Sequence, residues 1–214
     1  MKTLLLTLLL LAGCASGPVA PDWQMNAHGA LTASTSAYLE GNERLAVTEL
    51  ARARSEISRT ARLDLLARVE LSHCAAQVAS LEFGPCTGYD ALASDAGPAE
   101  RVYADFLAGR WDALDAAALP PQYRALVLTK GDASAFSTMQ DPLSRLVAAG
   151  VLLRRGRLTP DGIDAATEAA SAQGWRRPLL AWLGLQVGRA NAMGDTVTLQ
   201  RLQRRMAMVS GQKP

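Results

Sequence analysis

The sequence predicts an all-α protein, an array or bundle of about ten helices in antiparallel hairpins. Three observations carry that expectation. Ala, Leu and Arg, all strong helix formers, dominate the chain. Aromatic residues make up 5% of it, and no Val/Ile/Tyr run alternates at period two, so strand signals are nearly absent. Apolar residues instead recur at spacings of three and four, the signature of one buried helix face.

The elements follow in order from these signals. Residues 16–27 hold two prolines and a glycine with little apolar periodicity and read as a tether. Helical patterning begins near His28 and runs to Leu39, where Gly41-Asn42 breaks it. A second helix is expected from Glu43 to Ile57 with Leu45, Val47, Leu50 and Ile57 as its apolar positions. Ser58 or Thr60 is placed to cap a longer helix reaching Glu82, striped by Leu63, Ala67, Leu71, Cys74, Val78 and Leu81. Phe83 to Gly97 reads as a loop with one helical turn. Pro98 opens a helix to Ala108, because its missing N–H costs nothing at a first helical position. Short helices are expected at Trp111–Ala118 and from Pro121 to Thr129. Asp141-Pro142 and Thr159-Pro160 are cap-plus-proline pairs opening helices to Leu153 and Ala172. Pro178 opens one to Met193, and Asp195 or Thr196 caps the last, to Val209, with Leu199, Leu202, Met206 and Val209 as its apolar face.

The first residues carry an address. Lys2 supplies a positive charge, and Leu4 to Leu11 form an apolar run broken by Thr7. The run is far shorter than the ~20 residues a spanning helix needs and fits the apolar centre of a secretory signal. It ends in Leu11-Ala12-Gly13-Cys14. This stretch resembles the lipobox of bacterial lipoprotein precursors. The resemblance implies a signal peptide over 1–13, cleavage before Cys14, diacylglycerol on the Cys14 thiol and a further acyl chain on its new amino terminus. Residues 14–27 then form a lipidated tether, and 28–214 the helical domain. Such acyl chains anchor a protein stably to a membrane. Ala15 and Ser16 follow the cysteine, with no Asp directly after it. By the same resemblance this favours the periplasmic face of the outer membrane.

Two segments resemble tetratricopeptide hairpins. In residues 30–57, Gly41-Asn42 stands at the turn, and Ala46, Leu50 and Ala53 are spaced as in that motif's second helix. In residues 182–209, Trp182 and Leu185 stand in the first helix and Gly194-Asp195 at the turn. There Leu199, Gln203 and Met206 occupy the places of the motif's small residues, so the second likeness is partial.

Cysteine use fits an oxidising compartment. With Cys14 lipidated, Cys74 and Cys86 remain. From Cys74 to Glu82 a helix climbs ~12 Å, and the next four residues span about that distance back. A structural disulfide is expected, closing a small loop for roughly 3 kcal/mol. The alternative is a buried free Cys74 on the apolar stripe.

Candidate chemistry is sparse. The two histidines are His28 and His73, neither has another four residues away, and no H-E-x-x-H or C-x-x-C occurs. No metal or other cofactor beyond the Cys14 lipid is expected. His73 adjoins Cys74, but neighbouring helical residues point about 100° apart. No nucleophile elbow, P-loop or dinucleotide fingerprint is present. Asp90, Asp95, Glu100, Asp105, Asp112, Asp115, Asp132 and Asp141 crowd the middle. A pair of them could hydrolyse peptidoglycan glycan, yet several stand where helix caps are wanted. The net charge of +2 indicates no nucleic-acid binder. The last third is basic, however: Arg154, Arg155, Arg157, Arg176, Arg177, Arg189, Arg201, Arg204, Arg205 and Lys213. Arg201, Arg204 and Arg205 lie opposite the apolar face of the last helix and are the candidate contacts for an anionic partner; the plainer reading is a solvated helix surface. The function expected is a non-enzymatic, membrane-anchored adaptor or assembly factor for another envelope protein. The alternatives are a peptidoglycan hydrolase using the middle carboxylates and a carrier of a small apolar ligand.

Overall fold

The computed structural model describes residues 21–111 and 113–211. Among them are eleven α-helices, one 3-10 turn and no strand. The all-α expectation therefore holds. Cys14, Asp112 and Lys213 lie outside the described residues.

Helices α1 (Asp22–Glu40) and α2 (Glu43–Ser58) form a tight antiparallel hairpin. Gly41 makes the turn at φ 85°, a conformation open to glycine, and the Asn42 side chain accepts from the Leu45 amide. α1 starts at Asp22, six residues before the periodicity suggested. It buries small side chains, Ala27, Ala30, Ser34 and Ala37, which carry little hydrophobic signal. α2 corrects half of a second expectation: Leu50 and Ile57 are buried as expected, but Leu45 and Val47 are exposed and Ala46 and Ala53 complete the buried face, giving Ala46, Leu50, Ala53 and Ile57. Three of those four are the positions singled out by the tetratricopeptide likeness.

α3 (Leu63–Ala79) is the central helix, packed against α1, α2, α8 (Pro142–Arg154) and α5 (Pro98–Leu107). Leu63, assigned to its stripe, is exposed. The helix stops at Ala79 rather than Glu82 because Leu81 adopts φ 61° and the Glu82 amide turns back to the Gln77 carbonyl. This is a Schellman-type end with leucine where glycine is usual, so no sequence signal marks it. α8 is buried on most sides, from Leu146 to Leu152. The two helices meet at Gly150: a methyl group there would stand 2.4 Å from the Val78 carbonyl oxygen. Absence of a side chain is what permits this backbone approach.

Between them the chain makes short elements: α4 (Thr87–Asp90), the 3-10 turn (Ala116–Ala118), α6 (Pro121–Leu128) and α7 (Ala133–Ser137). Of the helix expected over Trp111–Ala118, the described residues show that turn alone. Trp111 serves the core instead, stacked on Phe106 at 5.7 Å with the Arg155 guanidinium 4.8 Å from its ring centre. α9 (Pro160–Gln173), α10 (Arg176–Ala192) and α11 (Thr196–Val209) then pack in succession onto α8. Thr159, Asp141 and Asp195 cap as expected, accepting from the Gly162, Ser144 and Thr198 amides.

The C-terminal layer also returns to the N-terminal hairpin. Arg177 at the start of α10 donates to the Tyr38 carbonyl at 2.9 Å and to Glu82 at 3.2 Å, pairs with Glu43, and lies over the Tyr38 ring. Trp182, fully buried, donates its indole N–H to the Ala79 carbonyl at 3.0 Å. That carbonyl belongs to the last turn of α3, where no following helical amide can reach it.

His73 packs edge-on against Tyr38, centroids 5.4 Å apart. Burial holds its imidazole below the ordinary 6.5 and Arg54 adds to this, while Glu70, Glu43 and Glu82 oppose it. A base whose folded value is depressed loses stability on acidification: below the ordinary value the unfolded chain takes up a proton that the native site refuses. Stability measured by urea unfolding is therefore expected to fall as pH drops through that value, and His73→Gln is expected to flatten this part of the profile. An identical slope in the variant would remove His73 as the cause.

Candidate functional site

The C-terminal arginines do not form one patch. Four of the ten cations make hydrogen bonds that close the fold. Arg154 donates to the Leu107 carbonyl at 3.3 Å and Arg155 to that of Gly109 at 2.5 Å. Arg157 donates to the Lys130 carbonyl, and Arg177 holds α10 to α1 as described. Thus the segment just after α8 and the start of α10 use their charge to close turns. Arg189, Arg201, Arg204 and Arg205 are left around the α10–α11 hairpin.

That hairpin has two distinct surfaces. α11 packs on α10 through Leu202, which is buried, with Leu199, Met206 and Val209 half-buried beside it. The expected apolar face of the last helix is therefore correct. On the far side, Val197, Arg201, Arg204 and Met208 follow one another at helical spacings of four, three and four, so they share a face. Val197 is 78% exposed and Met208 68%. Arg201 and Arg204 are exposed between them.

The second surface is a groove of about 440 Å³ between α9, α10 and α11. Asp164 and Glu168, one helical turn apart on α9, make one wall, and Arg189, Arg201 and Arg205 on α10 and α11 line the other side. The predicted trio is thus divided: Arg201 and Arg205 line the groove, and Arg204 does not. Neither wall pairs with the other within 4.0 Å among the described ion pairs. Asp164 accepts instead from the Gln186 amide nitrogen at 2.6 Å. The Gln186 carbonyl oxygen is enclosed and has no hydrogen-bond partner among the described residues. Gln186 and the acidic wall carried no signal in the sequence, and Arg189 was one basic residue among ten, because their meaning depends on how three separate helices are placed.

Cys74 and Cys86 form a disulfide with Cα atoms 5.9 Å apart, joining α3 to the segment before α4 as the loop geometry predicted. The middle carboxylates occupy separate places. Glu100 is buried against Arg68 at 2.5 Å, Asp105 pairs with Arg110 at 2.7 Å, and Asp115 and Asp141 cap helix starts. Asp95 accepts from Ser94, and Asp90 borders a small hollow beside the disulfide. A second buried carboxylate, Glu70, is held by both nitrogens of Arg54 at 2.6 and 2.7 Å. Two enclosed acids each matched by an arginine are structural pairs; no two of these carboxylates face one another across a common cleft among the described residues. No group of three or more potential metal ligands occurs among the described residues, and none of their helices is long and apolar enough to cross a membrane.

No family model, curated protein or solved structure matches the chain. The likeness to tetratricopeptide hairpins therefore rests on residues 30–57 and 182–209 alone.

Proposed function

We propose that this protein is a lipid-anchored component of the bacterial cell envelope, held at the periplasmic face of the outer membrane through Cys14, and that it docks another envelope protein on the outer face of α11. The observation that carries the docking is the uncovered stripe Val197–Arg201–Arg204–Met208. Methionine and arginine are enriched at protein interfaces, where a flexible apolar chain fills a partner's pocket and a guanidinium pairs with its rim carboxylates. The partner is accordingly a protein surface with an apolar centre and an acidic border. The anchor rests on the lipobox-like Leu11-Ala12-Gly13-Cys14. A disulfide between the two other cysteines agrees with a periplasmic address.

The anchor is testable by itself. Cells expressing the wild-type chain are expected to incorporate labelled palmitate into it and to retain it in the membrane fraction. Cys14→Ala is expected to abolish labelling and release the protein. Continued labelling of the variant would refute lipidation at Cys14. The docking face is tested separately, by crosslinking from α11.

A further inference from the structure

We infer that the groove between α9, α10 and α11 is a binding site for a dipolar peptide, one carrying a cationic group and a carboxylate on the same short segment. This goes beyond the docking face of α11 and rests on a different surface, the two sharing Arg201 alone. The acidic wall of Asp164 and Glu168 would receive the cation, and the basic side of Arg189, Arg201 and Arg205 the carboxylate.

Two features argue for an occupant of that class. The walls carry opposite charge yet form no ion pair with each other, so their helices hold them at a separation that direct pairing would have closed. Asp164 is already oriented by the Gln186 amide, which fixes one oxygen and leaves the other able to accept. A simple anion would leave the acidic wall unmatched, and a simple cation would face three arginines. A volume of about 440 Å³ lies within the range of small-ligand sites.

The probes are four capped tripeptides, acetylated and amidated so that only side chains carry charge: lysyl-alanyl-glutamate, lysyl-alanyl-glutamine, glutaminyl-alanyl-glutamate and glutaminyl-alanyl-glutamine. Titrated into the purified full chain by calorimetry, the first is expected to bind at least about fivefold more tightly than any other. Asp164→Asn with Glu168→Gln is expected to remove the preference for lysine, and Arg189→Gln with Arg205→Gln the preference for glutamate. All six side chains at the site are at least partly exposed, and Arg201 is left intact so that the α11 stripe is unchanged. Circular dichroism of each variant confirms the fold before titration. Equal binding of the four peptides, no binding at millimolar concentration, or unchanged preferences in both variants would overturn the site. Any of these with crosslinking from α11 retained would leave the docking face standing.

Discussion

Trp182→Ala is expected to destabilise the protein by about 3–5 kcal/mol, the range for truncating a large aromatic in a closed core. Trp182 is fully buried and sits in the same core cluster as α3 and α8. Its loss combines two effects that a pair of variants separates. Alanine leaves a cavity and also removes the donor to the Ala79 carbonyl. Trp182→Phe keeps most of the volume and removes only the donor, so it is expected to cost about 1–3 kcal/mol, the penalty of a buried acceptor left unmatched. Urea unfolding of both variants reads the difference. No loss in Trp182→Phe would mean that the indole hydrogen bond contributes nothing and that packing alone joins α10 to the end of α3.

Removing the disulfide has the next largest expected effect. Cys74 and Cys86 are separated by 12 positions, and a loop of that size is worth about 3 kcal/mol in the chain-entropy account. For a chain of this length that corresponds to a fall in Tm of roughly 6–12 °C. Cys74→Ala with Cys86→Ala should show it, and reduction of the wild-type protein should reproduce it. Cys74 is buried on α3, and the bridge ties to that helix the loop that leads into α4. An unchanged melting temperature on reduction would mean that the oxidised form does not govern stability.

Much of the architecture was legible because the signals were local. Asp141-Pro142, Thr159-Pro160 and Gly194-Asp195 mark helix boundaries by cap chemistry, and the helices stand where those residues put them. Elements were misjudged where the cause was tertiary. α1 buries alanines and a serine, so its first turns look like linker. Leu45 and Val47 look like core, but the inward face of α2 carries Ala46 and Ala53 beside the expected Leu50 and Ile57. Trp111 and residues 113–115 have no helix although their composition allows one, because Trp111 is drawn between Phe106 and Arg155. The candidate site divides in the same way. Arg201, Arg204 and Arg205 could be named from the helical period of one element. That Arg204 looks outward while Arg205 joins Arg189 against Asp164 and Glu168 could not, since it needs the packing of α9 beside α11.

The central claim is that the outer face of α11 docks a protein partner at the envelope. A photocrosslinking amino acid placed at Val197 or Met208 tests it directly, with the equally exposed Leu128 as the control position. Irradiation of intact cells is expected to give one discrete crosslinked species from Val197 and Met208, none from Leu128, and loss of that species when Arg204 is changed to Glu. No crosslinked species from either α11 position, or the same species from all three, would contradict docking on this face.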